Sequence, residues 1–438
     1  METIVKLNTI KDKLIAEFES SKSSLFGDTT IREKALEAFS KQGIPGRKSE
    51  EYKYVNMELA LKGDFAFSST QKLSAKQLES TQFLNDAIVV VIENGKFNSE
   101  YSKTNSLPKG LQIVNISDAV SNDVFKKHYS KYANVNLDPF IAMNTALTSG
   151  GVFVHVAKSA VIEKPIHIVH VTAVSENTVL NSRNLIVVEE NAQATIVESF
   201  QTVDSKAKSF NNALTEIVVE ASAVVDHYKI QDENACLPDR QDFGHLISTT
   251  QSIQKKQSNF TTHTFTLSGL LVRNNLNMVL DDEFIESHLN GLYLTNGNQV
   301  VDNHTLVDHR KPNCNSNELY KGIIEDKSSA TFNGKIYVRK DAQKTNAFQS
   351  NKNILLSDDG TINTKPQLEI YADDVKCSHG TSTGKLDEDK IFYLRARGLS
   401  EASAKKLLMH AFASEVVDTI KIDALREYVE AKISKRFE

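Results

Sequence analysis

The sequence predicts a mainly β protein, a long β core with helical regions before and after it. Three observations carry this. From Gly150 onward, runs rich in Val, Ile, Thr and Tyr follow one another for more than 200 residues, separated by Asn, Gly, Asp and Ser. The flanking segments instead repeat apolar residues at helical spacing. The chain's 438 residues exceed the roughly 250–300 that one hydrophobic core supports, so several structural units are expected. The spacing divides them at 1–148 (helical and mixed), 149–386 (β core) and 387–438 (helical).

In order along the chain, Ile4, Leu7, Ile10, Leu14, Ile15 and Phe18 share one helical face. Thr30-Ile31-Arg32-Glu33 reads as a capping box for a second helix, which Gly43 and Pro45 stop. The Ser-rich stretch 67–80 reads as a linker or a helix entry. AIVVVIENG and LQIVNIS within 86–115 are short strand signals, and 118–148 returns to helix, with Asp138-Pro139 as a start.

The core strands include GVFVHVAK, KPIHIVHVTAV, RNLIVVEE, ATIVESF, LTEIVVEA, GLYLTN, GKIYVRK and PQLEIYADDVKCS. Two internal likenesses stand out: 187–198 with 218–230, and 287–294 with 330–338. Repeated short strands with small residues at the turns suggest a parallel β-helix, with coils of roughly 20–30 residues and on the order of nine of them. A β-sandwich or barrel fits the same alternation. In a solenoid, terminal helices would cap the exposed end coils. Ser400 starts the first C-terminal helix. Ala404, Leu407, Leu408, Phe412, Val416 and Ile420 form its apolar stripe, and Leu425, Tyr428, Val429 and Ile433 that of the next helix.

Composition narrows the function. A net charge of −5 gives no basic excess to hold nucleic acid. Trp is absent, which weakens sugar-stacking readings. Three scattered cysteines point to reduced thiols in the cytoplasm. The amphipathic start lacks the apolar stretch of a signal peptide, and no apolar run approaches the ~18 residues of a membrane span. Gly380-Thr-Ser-Thr-Gly384-Lys385-Leu386 is one residue short of a nucleotide-binding loop and lacks its Ser or Thr, so any ATP hydrolysis belongs to another chain. Cys377 and His379 stand two apart, which places both on one face of a strand. They could reach one ion or cluster edge as half a site, or simply be a thiol and a solvated imidazole at a strand end. His304 with His309, and His167 with His170, fall on opposite strand faces and read as solvated. Cys236 and Cys314 lie in polar sequence and read as plain thiols. Asp226, His227, Asp302 and Asp308 leave open a β-helical hydrolase or lyase.

LEIYADDVKCSHGTSTGKLDEDKIFYLRARGLSEASAKKLLMHAF (368–412) closely resembles the signature of the SufB/SufD family of Suf iron–sulfur cluster assembly scaffolds, in its SufD form. PGRKSEEYKYVN (45–56), 138–171 and 183–200 resemble the same family. SufB-type members carry Glu-His-Glu where this chain has Lys-Cys-Ser-His. The resemblance implies a right-handed parallel β-helix between helical ends, acting as a non-catalytic scaffold with a SufB-like subunit and a SufC-like ABC ATPase. It implies that the last coils pair with SufB and that the C-terminal helices, with Leu407, Leu408, Phe412 and Val416, dock the ATPase. The family's functional Cys and His fall on Cys377 and His379, which would hold iron or a nascent cluster transiently, shared with SufB, with no cofactor held stably. An isolated chain could pair with a second copy through the same edge. The rival functions are the β-helical enzyme and a structural adaptor without a metal-contacting site.

Overall fold

The computed structural model describes residues 9–203, 205–233 and 244–436. Ile4 and Leu7 of the expected first helix, and Cys236, lie outside them. From Val152–Val156 onward the chain alternates between two sheets, here called back and front. The back sheet ends in Thr361–Ile370 and the front sheet in Val375–Gly384. Pairing between successive coils is parallel throughout. The core is therefore a parallel β-helix, and the sandwich and barrel alternatives fall away.

The register advances by 26 residues at the shortest step, His245 to Leu271, and by 36 at the longest, Asp232 to Ser268. Coils of this length give about seven turns, fewer than the nine expected from shorter repeats. One internal likeness is a true coil repeat, since Val187 stacks on Val218 and Ala194 on Val225. The other is not. Glu286–Thr295 lies in the front sheet and Ser329–Val338 in the back. What they share is an inward glycine that makes room. A Cβ on Gly291 would come 2.3 Å from the Tyr320 ring, and one on Gly334 2.1 Å from Gln349 Nε2.

One corner repeats from coil to coil. Asn191, Ser222, Gln257, Phe284, Asn313 and Lys344 all turn through the left-handed region, with φ between 57° and 61°. Most of these amides bond a carbonyl of the next coil, as Asn191 N–H does to Ala221 O and Asn313 N–H to Gln343 O.

The helices cover the faces of the solenoid, not its ends as expected. Phe140, Met143 and Ala146 of Pro139–Leu147 pack on Val179, Phe210 and Ile247 of the back sheet, with Leu14 and Phe39 behind them. Met409, Val416, Ile420, Leu425 and Val429 pack on Tyr228, Ile230, Phe265, Leu292 and Ile323 of the front sheet. Those outward aromatic and aliphatic residues explain the difference. Apolar surface removed from water is worth about 25 cal/mol per Å², and it lies on the faces. The solenoid's beginning is closed by Leu111–Asn115, antiparallel to Val152–Val156.

The punctuation mostly holds. Ser400 caps its helix, Pro139 follows the Asp138 cap, and Gly43 ends the second helix at φ 67°. The capping box at Thr30 does not form. The helix is Thr29–Gln42, capped by the Asp28 carboxylate, which accepts from Thr30 N–H. In Glu401–Val417 the buried stripe is Ala404, Met409, Ala413, Val416 and Val417. Among the described residues, no helix is long and apolar enough to cross a membrane.

Candidate functional site

The solenoid's far end is bare. Val375–Gly384 pairs only with Thr345–Leu355, and Thr361–Ile370 only with Ser329–Val338, among the described residues. Pro366, which cannot donate a backbone hydrogen bond, sits in one of these edge strands, where its missing N–H is tolerated. Apolar side chains surround the edge: Phe348 and Ile370 are exposed, and Tyr371 is 57% exposed with its ring 5.3 Å from that of Tyr337. An unpaired strand edge with apolar neighbours is a template for another chain.

Cys377 and His379 lie on this last strand, stacked over Ala347 and Gln349. Cys377 points inward, packing with Ile336, Val338 and Ala347. Strand alternation sends His379 the same way. The structure thus brings the two candidate ligands to one face, at the open mouth of the core. Cys377 is half-buried and His379 exposed. Burial raises the Cys377 thiol above its ordinary pKa, partly offset by the Ala347 backbone N–H. Forming its thiolate therefore calls for a nearby cation or metal. Among the described residues, no three His, Cys, Asp or Glu side chains come together as a metal site.

The interior beneath is polar, which the sequence reading missed. Gln349 Nε2 donates to Glu318 Oε2 at 2.8 Å, and Asn351 Nδ2 to the Tyr293 hydroxyl at 3.1 Å. Deeper, Glu198 accepts from Asn184 Nδ2 at 2.9 Å and lies 2.9 Å from His227 Nε2. Lys229 donates to Ser248 and Thr250, and burial lowers its pKa to about 8. Glu318, Gln349 and His379 sit at corresponding positions in successive front strands.

The other candidates disperse. His304 faces outward, 3.0 Å from Asp302, while His309 faces the core beside Ser316. His167 is fully buried against Phe83, and His170 stacks on Phe200. His167, His170 and His309 are enclosed in packing, not solvated as expected, and His304 is half-buried between Asp302 and Glu51. Asp226 pairs with Lys421, Asp302 with Arg273, and Asp308 with Arg310 and Arg339. With His227 buried inside the core, these four do not converge. Cys314 is fully buried at a coil corner, not in a polar loop. Burial pushes its thiol up to about 11.

Of the C-terminal stripe, Leu407 is 49% exposed, and Leu408 and Phe412 are half-buried. Lys321 Nζ donates to Phe412 O at 2.7 Å and sits over its ring. Val416 is fully buried on the front sheet. Further apolar surface lies at Tyr393, Leu399 and the 73% exposed Phe392. A cleft of about 920 Å³ between the N-terminal region and the back sheet is lined by Arg273, Arg310, Lys335, Arg339 and Asn275, among others. Those four cations are already paired with carboxylates.

Comparison with known proteins bears on this arrangement. The domain described as SUF system FeS cluster assembly, SufBD core, matches residues 170–412, and the SufBD protein N-terminal region matches residues 9–168. The chain is similar to an iron–sulfur cluster assembly SufBD family protein of Synechocystis, 32% identical over 92% of this chain and 90% of the relative. It is similar to the iron–sulfur cluster assembly protein SufD of Escherichia coli, 29% identical over 92% and 91%. With SufD of Bacillus subtilis it shares 25% identity over 75% and 74%.

Proposed function

The chain belongs to the SufBD family of SUF-system iron–sulfur cluster assembly proteins, and from that premise we propose that it is a non-catalytic scaffold that builds its cargo at a seam with a sister subunit. The bare last coil pairs edge to edge with the corresponding coil of a SufB-like chain. Cys377 and His379 supply two ligands to a nascent cluster held across that seam, and the sister chain supplies the rest. Thiolate and imidazole are suitable donors for iron and for clusters. The cluster is cargo, transferred onward.

A SufC-like ATPase docks on the C-terminal helices. The exposed Leu407, the neighbouring Leu408 and the Phe392 surface form the contact, and Phe412 and Val416 anchor the helix beneath it. ATP-driven association of two ATPase subunits draws on the terminal helices and shears the seam, which exposes Cys377 and His379. Paired strand edges suit this, because their backbone bonds can shift register. The chemistry needs reduced thiols, in keeping with a cytoplasmic setting.

The observation that carries this reading is the final strand, open along its outer edge among the described residues, with a cysteine and a histidine on one face at the end of the core. The test is co-purification with the sister subunit and the ATPase, followed by iron and sulfide loading of the complex with His379→Ala. Loading is expected to collapse. Unchanged loading would remove His379 from the site. Loading unaffected by Cys377→Ala as well would leave only an adaptor. The isolated chain should bind iron weakly and pair with a second copy through the same edge.

A further inference from the structure

Below His379, the inward column of the front sheet reads Gln349 and then Glu318, one coil apart. Fully buried Leu289 is the apolar floor beneath them. Gln349 and Glu318 are both buried, and the amide donates its N–H to the carboxyl at 2.8 Å. Gly334 on the facing strand cuts the slot, because any larger residue would strike Gln349 Nε2. The amide is thus fixed from beneath by a carboxyl and from the side by a missing side chain. Its oxygen Oε1 has no hydrogen-bond partner, and neither has Glu318 Oε1. Thr305 faces the carboxyl from the back sheet.

A buried carbonyl left unsatisfied is uncommon and unfavourable, so each one calls for a reason. The next rung above Gln349 is His379, one parallel-strand spacing of about 4.8 Å away at the backbone. A neutral imidazole carries one N–H and one lone pair, and a metal takes the lone pair. Histidine ligands therefore give their remaining N–H to a fixed acceptor, which sets the tautomer and the ring orientation.

We propose that Gln349, held by Glu318 and the Gly334 slot, is a positioning residue for His379: its side-chain oxygen accepts the ring N–H, so that the other ring nitrogen is presented unprotonated to the iron cargo at the seam. The inference rests on the reading of His379 as a ligand given above. No proton is gained or lost in the arrangement. Burial raises the Glu318 carboxyl to about 7, so at neutral pH the group beneath Gln349 is only partly ionised. That suits an acceptor meant to orient an imidazole without protonating it.

The test reads the tautomer directly. The full chain is labelled with ¹⁵N at histidine, the His379 signals are assigned by loss in His379→Gln, and the ring-nitrogen shifts give the tautomer ratio above the imidazole pKa. One tautomer should dominate in the wild type, and Gln349→Leu should produce a mixture. Glu318→Gln should keep the wild-type ratio, since its amide oxygen can still accept from Gln349. A general loss of packing would not produce that rescue. Should Gln349→Leu fail to fold, Gln349→Asn withdraws the same oxygen by one methylene and should give the same mixture.

In the assembled complex, Gln349→Leu should weaken iron binding by about 10- to 100-fold, and Glu318→Gln should not. A tautomer ratio unchanged in both Gln349 variants would overturn the proposal. Full loading with His379→Ala would instead overturn the ligand reading while leaving the tautomer result standing, so the two failures are distinguishable.

Discussion

Replacing Glu318 by Gln should make the protein gain stability relative to wild type as the pH rises. Glu318 is enclosed by the core with Gln349 as its hydrogen-bonded neighbour. Its charged form loses hydration with no cation to replace it, and its pKa rises from an ordinary 4.5 to about 7. Between those values the folded chain keeps a proton that the unfolded chain has released. Stability from this group is therefore complete below about pH 4.5, declines as the pH climbs to about 7, and is flat beyond. Each tenfold step in proton affinity is worth about 1.4 kcal/mol, so the full loss is about 3 kcal/mol, of which about 2.5 kcal/mol falls between pH 5 and pH 8. Glu318→Gln keeps the shape and the acceptor oxygen but cannot ionise. Urea unfolding of both proteins at the two pH values gives the stability difference. Glu233, whose pKa burial likewise raises to about 7, is present in both and cancels. The variant should advance by roughly 2.5 kcal/mol at pH 8 relative to pH 5. A difference independent of pH, or the variant losing ground at pH 8, would refute the account of Glu318 as a buried carboxyl without a charge partner.

Two further outcomes follow from packing and pairing. Arg273 is buried against Asp302, stacks 3.9 Å over Tyr52 and donates to the Glu51 carbonyl at 2.6 Å. Arg273→Met should cost about 3–5 kcal/mol by stranding Asp302, read as a lowered melting temperature, and Asp302→Leu in the same chain should restore much of it. A single-variant loss below about 1 kcal/mol would show that the pair is not holding the early segment to the sheet. Gly322→Ala would put a Cβ 2.2 Å from the Tyr293 ring and should cost about 1–3 kcal/mol in urea unfolding. Gly384→Ala meets nothing within 4 Å and should be close to neutral. Equal effects from the two would argue against the Gly–Tyr fit.

Much of the architecture was legible in the sequence, for identifiable reasons. Val, Ile and Tyr at alternate positions define strands wherever they occur, and Asp138-Pro139 and Ser400 mark helix starts because their side chains satisfy free amides. Coil length was misjudged because the corners contribute residues such as Gln257 and Phe284, whose identity does not announce a left-handed turn. The placement of the helices was missed because outward Tyr228 and Leu292 look, in sequence, no different from inward Phe260 and Leu289. That Cys377 and His379 share a face was readable from spacing, since a separation of two fixes it, whereas their proposed role came from the family resemblance. The column of Glu318 and Gln349 beneath His379 was not readable, because it forms only when strands 30 and 31 residues apart are brought into register.

The terminal helices are fastened to the front sheet at points spread along the stack. Lys421 holds Asp226, Tyr428 holds Asp232, Thr419 meets His263, Lys321 reaches Phe412 O and Lys352 reaches Glu415. A load applied to those helices would enter through many rungs side by side, and side-by-side rungs resist together where a single terminal rung would peel. The coils would then swing as one stiff bar, and the displacement would concentrate beyond the last fastening, where Lys376 and Ser378 stand uncovered.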